Sequence, residues 1–173
     1  MAGLLESSSL LIFLAFIHLH EPQTMAAWLL PYSLASAAGV ATTLYLWQKK
    51  APINPIFFAI QCYFVSGFLA LACNVIWLNH LYGQLRATAM LLWIFGIGLA
   101  FHLFSSAGFL GVKPDRSNGR YLTSPKIPSL LLLLVCALSL AMAHYWQGQQ
   151  LAGELIPFFL LFGARSGLLR MAN

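Results

Sequence analysis

Charged side chains are scarce in this chain of 173 residues, and acidic ones are the scarcest. Only 8% of the residues are Asp, Glu, Lys or Arg, whereas 60% are hydrophobic. A soluble domain carries about 25% charged residues, because its surface must be hydrated. The chain has too few charges for such a surface, so the composition predicts an integral membrane protein. The length favours a single membrane domain over residues 1–173 without a separate soluble domain.

The scarcity of acidic residues also limits the chemistry that the chain can perform. Asp115 is the only aspartate and lies in a polar stretch, which excludes an intramembrane pair of aspartates. The sequence has no GxSxG motif and no P-loop, and acid–base catalysis needs positioned titratable groups. These absences favour a protein that is not an enzyme, although they leave a cofactor bound by histidine open.

Cysteine is equally uninformative as a source of chemistry. The three cysteines, Cys62, Cys73 and Cys136, lie in apolar segments, and none belongs to a CxxC motif. An odd number of cysteines in apolar segments is typical of small packing residues rather than of disulfides or metal ligands.

Long apolar runs fill most of the chain, and about 20 helical residues cross the roughly 30 Å of hydrocarbon in a bilayer. They predict an all-α fold, a polytopic membrane helical bundle of about six transmembrane helices. The predicted helices cover residues 4–20, 25–48, 54–78, 85–112, 127–147 and 152–169. The first is short, and a re-entrant or interfacial segment is the alternative for it. Residues 79–84 are predicted to be a turn, and Pro157 and Arg165 to interrupt the sixth helix.

The basic residues are distributed unevenly about these helices. One side of the predicted bundle holds Lys49, Lys50, Lys113, Arg116, Arg120, Lys126, Arg165 and Arg170, and the other side holds Arg86. Lys and Arg collect on the cytoplasmic side, so the asymmetry predicts a bacterial inner-membrane protein with both termini in the cytoplasm. The net charge of +5 is therefore explained by the basic residues that set the orientation in the membrane, and it does not indicate nucleic-acid binding. Helices one to three and four to six would run in opposite senses, which allows an inverted repeat.

Small residues recur every four positions in two of the predicted helices. These stripes are Ala35, Gly39 and Thr43 in the second helix, and Ser66, Ala70 and Asn74 in the third. Such stripes let helices approach closely within a bilayer. They motivate the leading hypothesis, a non-enzymatic accessory protein without a cofactor that contacts other membrane proteins or a second copy of itself.

Polar side chains inside the apolar runs support a second hypothesis. Gln61, Asn74 and His102 should face the interior of the bundle, because unpaired polar groups in hydrocarbon are costly. Together they would form a cluster near the bilayer midplane that binds the substrate of a small-solute transporter. The alternative for His102 is a neutral imidazole that is hydrogen-bonded to a neighbour such as Asn74 or a serine.

Histidines near the predicted outer face support a third hypothesis, a haem or quinone redox protein. His18, His20 and His144 are the candidate cofactor ligands. His18 and His20 diverge on a regular helix, and the chain has no HExxH motif, so interfacial side chains without a ligand are the alternative. Whether any of these histidines binds a metal stays open.

Three arginines on the predicted cytoplasmic side are candidates for contact with anionic lipid or a partner. Arg116 and Arg120 lie in the polar loop 113–126, and Arg165 lies inside the sixth helix. The alternatives are ordinary control of topology for the loop and snorkelling to the interface for Arg165.

Four segments together resemble the intracellular septation protein A family of small bacterial inner-membrane proteins. They are IFLAF at Ile12–Phe16, LYLWQKK at Leu44–Lys50, SGFLAL at Ser66–Leu71 and RATAMLLWIF at Arg86–Phe95. Asn79 and His80 stand where that family has an acidic pair. The resemblance implies a role in maintaining the cell envelope through partner membrane proteins, and it implies no catalytic residues.

Overall fold

A computed structural model describes residues 7–20, 24–51, 53–111 and 126–172, which form helices joined by turns. Within these residues, five helices are long and apolar enough to cross a membrane. The protein is therefore all-α and membrane-embedded, as the composition predicts. The remaining predicted span, the first one at residues 4–20, corresponds to a helix of 13 residues, which is about 20 Å long and shorter than the hydrocarbon core.

The described helices follow one another in two compact units, residues 1–84 and 85–173. The first unit contains α1 (Ser8–His20), α2 (Leu29–Gln48, after a 3₁₀ turn at Met25–Trp28), α3 (Pro55–Ala72) and α4 (Ile76–Leu85), whose last residue lies beyond the unit boundary. The second contains α5 (Ala87–Phe104), α6 (Lys126–Tyr145) and α7 (Ile156–Ala172, after a π-helical turn at Gln150–Leu155).

In the N-terminal unit, α2 lies between α1 and α3 and packs against both. Helix α1 runs antiparallel to α2, because Ser8 contacts Thr42 near one end and Phe13 contacts Trp28 near the other. Phe13 is also packed against Phe64 of α3, with 4.6 Å between the ring centroids. Aromatic side chains therefore form part of the core of this unit, beside buried aliphatic residues such as Ile56 and Ile60.

In the C-terminal unit, α6 lies between α5 and α7 and packs against both. The core is mainly aliphatic, with Leu91 and Ile94 of α5, Leu132 of α6 and Leu161 of α7 fully buried. Arg86 Nη1 and Glu154 Oε1 are 3.8 Å apart, so the start of α5 and the π-helical turn lie at the same end of the unit.

Helix α3 ends at Ala72, although the prediction extends it to residue 78. Asn74 has a φ of 53°, its N–H donates to the Leu71 carbonyl, and the Val75 N–H donates to the Ala70 carbonyl at 2.8 Å. This is the Schellman arrangement, in which a residue in the left-handed region caps the helix. Asparagine adopts that region more readily than most residues, because its short side chain can hydrogen-bond locally. The predicted turn at residues 79–84 is wrong as well, since it lies within α4.

Helix α5 is also shorter than predicted, because it ends at Phe104 rather than near residue 112. Residues 105–111 form turns in which Gly108 and Gly111 have φ values of 61° and 76°. The turns bring the buried side chain of Phe109 back onto Gly98 of α5. Apolar residues after position 104 thus cover their own helix instead of extending it.

The predicted interruptions of the last helix are wrong, because α7 continues through Pro157 and Arg165. Pro157 is the second residue of α7 and is fully buried. The π-helical turn Gln150–Leu155 precedes it and joins the helix to the C-terminal end of α6. Arg165 is half-buried and leaves the helical backbone continuous.

Candidate functional site

Polar side chains cluster where α2 packs against α3. We call the set Tyr32, Thr43, Gln61 and Tyr63 the polar seam, after the two inter-helix pairs that its members form. Three of its members are buried and Thr43 is half-buried, in helices that are mostly apolar. Buried polar groups in a bilayer are stable when they are paired across helices, and the seam satisfies this condition.

Gln61 pairs with Thr43, and a glycine makes room for the pair. Thr43 Oγ1 lies within hydrogen-bond distance of Gln61 Oε1 and 2.9 Å from the Gly39 carbonyl oxygen. A Cβ atom at Gly39 would lie 2.8 Å from Cγ of Gln61, so the glycine allows the amide side chain to cross the helix. The prediction that Gln61 faces the interior and pairs with a neighbouring helix is confirmed. The small stripe of α2 is therefore occupied by α3 of the same chain.

The second pair of the seam joins two tyrosines that the sequence analysis does not single out. The hydroxyl oxygens of Tyr32 and Tyr63 are 2.8 Å apart, and both side chains are buried. The ring of Tyr32 covers Gly67, where a Cβ atom would lie 2.7 Å from Cδ1. Tyrosine in membrane proteins collects at the interfaces. The position of both tyrosines well inside predicted helices is the signal that could have identified them.

Helix α4 folds back along α3 and adds a third tyrosine beside the seam. Tyr82 Oη is 2.7 Å from Ser66 Oγ, and the Tyr82 ring centroid is 5.1 Å from that of Tyr63. Asn79 Nδ2 donates to the Ala70 carbonyl at 3.2 Å. Because later residues of α4 contact earlier residues of α3, the two helices are antiparallel.

The structure does not bring Gln61 and Asn74 together. Gln61 is buried in α3, whereas Asn74 is exposed in the turn after that helix. At 1.5 Å per residue, roughly 16 Å separates Gln61 from the end of α3. The expectation that Asn74 is a buried amide facing the interior is therefore wrong, because its backbone serves as a helix cap.

His102 lies in the last turn of α5 and not well inside a longer helix. Its Nδ1 atom is 3.1 Å from Oγ of Ser129, which is fully buried in the first turn of α6. Ser129 Oγ also accepts the N–H of Phe109 at 2.6 Å, so its own hydrogen is free to point at the imidazole. This geometry matches the hydrogen-bonded alternative for His102 and ties the turns after α5 to α6.

The candidate haem ligands are at helix ends. His20 is exposed and stacks on Phe16 with 4.4 Å between ring centroids, and His144 is exposed in the last turn of α6. The side chain of His18 lies outside the described part of the chain. Across the described residues, no group of three His, Cys, Asp or Glu side chains is placed to hold a metal ion. A haem or quinone function stays a prediction.

Of the three arginines predicted to contact lipid or a partner, Arg165 is half-buried in α7. Arg116 and Arg120 lie outside the described residues, so their lipid or partner contacts stay predictions. Comparison of the chain with family models, curated proteins and solved structures gives no match.

Proposed function

We propose that this chain is a multispanning bacterial inner-membrane protein that acts without catalysis, by contacting other membrane helices. Five apolar helices and the uneven distribution of basic residues support this, with both termini in the cytoplasm. Helix α1 lies along α2 from Thr42 to Trp28, which supports a sixth crossing by a helix shorter than the hydrocarbon core. The resemblance to the septation protein A family would assign such contacts to maintenance of the cell envelope.

The observation that carries this proposal is a pair of open glycines in α7. Gly163 and Gly167 are four residues apart, and a Cβ atom at either position would meet nothing within 4 Å. Phe159 and Leu160, one turn earlier, are exposed. Two small residues at this spacing let a second helix approach closely. The stripes of α2 and α3 cannot serve this purpose, because Gly39 and Ala70 are buried within the N-terminal unit.

The test combines Gly163→Leu and Gly167→Leu in one variant and uses Gly96→Leu as its matched control. Gly96 also has open space around it, but it lies in α5. Cross-linking in intact membranes, followed by mass spectrometry, detects both copies of the chain and other membrane proteins. We expect the α7 variant to lose roughly tenfold in cross-linked product, which corresponds to about 1.4 kcal/mol of lost helix association. The Gly96→Leu variant should keep its cross-links.

Thermal unfolding in mild detergent should not occur at a lower temperature in either variant, because a Cβ atom at each position meets nothing within 4 Å and leucine favours a helix more than glycine does. Undiminished cross-linking of the α7 variant would contradict the proposal. An equal loss in Gly96→Leu would also count against it, since the effect would then not depend on α7.

A further inference from the structure

The turn that follows α2 begins with a hydrogen-bonded backbone, which places a lysine at the end of an apolar helix. Lys50 has a φ of 52°, its N–H donates to the Trp47 carbonyl at 3.0 Å, and the Ala51 N–H donates to the Leu46 carbonyl at 3.0 Å. This is a second Schellman arrangement. Asn54 then caps α3 by accepting the N–H of Ile56, so both sides of the turn are held.

An open depression of about 540 Å³ lies at this turn. Its lining consists of Trp47, Gln48, Lys50, Ala51 and Ile53. The lining thus combines one cation and one amide with apolar side chains.

The depression lies where α2 leaves the apolar part of the bilayer. Trp47 is 73% exposed, and Leu44 and Tyr45 before it are each 49% exposed. An exposed tryptophan beside lysines at the end of an apolar helix is typical of the headgroup level of a membrane. A lipid beside α2 would therefore have its acyl chain against Leu44 and Tyr45 and its headgroup at the level of Lys50.

Lys49 carries the same charge but has a different environment. Its Nζ atom lies 5.9 Å from the centroid of the Tyr45 ring, at the distance of a cation–π contact, and it does not line the depression. The two adjacent lysines are therefore distinguishable, although a purely electrostatic attraction would treat them alike.

We propose that this depression binds the headgroup of an anionic glycerophospholipid. The Lys50 ammonium and the Gln48 amide donate to the phosphate oxygens, and Trp47 and Ile53 cover the glycerol and the first acyl carbons. Opposite charge supports the phosphate contact. The exposed apolar residues of α2 favour a lipid over a free phosphate ion, which would leave them unused. The site is separate from α7 and does not depend on the proposed function.

The experiment measures lipid binding to the full chain by native mass spectrometry in mild detergent, with phosphatidylglycerol as the probe. Lys50→Gln and Lys49→Gln each remove one positive charge from the same turn, so the difference between them isolates the direct contact. We expect Lys50→Gln to bind phosphatidylglycerol about tenfold more weakly than Lys49→Gln, because a hydrogen bond to a charged group is lost. Phosphatidylcholine and inorganic phosphate should bind both variants weakly.

Equal affinities of the two variants would overturn the proposal in favour of general attraction to the basic turn. Equal binding of phosphatidylcholine and phosphatidylglycerol by the unaltered chain would also overturn it, because the site would then not select a negative charge. Competition by inorganic phosphate at millimolar concentration would identify a phosphate site rather than a lipid site. A Gln48→Leu variant provides a second measurement should Lys50→Gln unfold, and it should weaken phosphatidylglycerol binding.

Discussion

The two compact units have the same plan but place their polar contacts differently. In each unit a middle helix packs against one helix on either side. In the N-terminal unit the polar seam joins α2 to α3 by two pairs of side chains near the middle of α3. In the C-terminal unit, His102 and Ser129 meet at helix ends, and apolar residues such as Ile94 and Leu132 fill the space between the helices.

This difference indicates how tightly each helix interface is specified. A hydrogen bond between two buried side chains needs both partners at fixed positions, because an unpaired polar group in an apolar environment is costly. Apolar side chains can exchange neighbours at a smaller cost. We therefore expect the α2–α3 interface to tolerate fewer substitutions than the α5–α6 interface.

The largest effect should come from adding a methyl group beneath an aromatic ring in each unit. Gly67 faces the Tyr32 ring, which is held by Tyr63, whereas Gly98 faces the far edge of the Phe109 ring at 2.8 Å. We expect Gly67→Ala to lower the free energy of unfolding by about 3 kcal/mol, and Gly98→Ala by about 1 kcal/mol. A Cβ atom at Gly67 would meet the Tyr32 ring more closely than a Cβ atom at Gly98 meets the Phe109 ring, and Tyr32 cannot move away without stretching its hydrogen bond to Tyr63.

Denaturant titration in mixed micelles measures both variants, with Gly96→Ala as the control because its surroundings are open. The comparison between the units would fail if Gly98→Ala proved at least as costly as Gly67→Ala.

A smaller effect is expected at the helix-end contact of the C-terminal unit. Ser129→Ala removes the acceptor of the Phe109 N–H and the partner of His102 Nδ1. Leaving these groups unpaired should cost about 2 kcal/mol. Hydrogen exchange of the Phe109 amide should accelerate, and Ser129→Thr, which keeps the hydroxyl, should restore part of its protection. Unchanged exchange in Ser129→Ala would show that Ser129 does not tie the turns after α5 to α6.

The smallest effect distinguishes the two interpretations of Asn74. Because Asn74 caps α3 at a positive φ, Asn74→Gly should stabilise the chain by about 0.5 kcal/mol, since glycine adopts positive φ without strain. Asn74→Ala should destabilise it by about 1 kcal/mol. Thermal unfolding of the two variants measures the sign. Were asparagine instead a buried amide paired with another helix, glycine and alanine would both destabilise the protein.

Several features of the fold follow from local patterns. The boundaries of α2 and α6 agree closely with the predicted 25–48 and 127–147, because each is a long apolar run with polar residues at its ends. The start of α3 is also predictable, since Asn54 can cap the helix and proline at position 55 suits its first position.

The ends of α3 and α5 are not predictable in this way. Asn74 within an apolar run is compatible both with a buried amide and with a left-handed cap, and only the backbone distinguishes them. Phe109 extends an apolar run, so its sequence favours a longer helix, but its ring packs onto Gly98 of α5. The position of His102 in the last turn of α5 follows from the early end of that helix, because α5 ends two residues after His102.

Composition by itself determined the class of this protein, since a chain with so few charges cannot hydrate a soluble surface. The apolar runs likewise determined most of its helices, because helix length and the thickness of a bilayer are linked. Tertiary structure alone decided which helices meet. A stripe of small residues predicts that another helix approaches closely, but it does not specify which helix. For the stripe of α2, that helix is α3 of the same chain, through the face that carries Gln61.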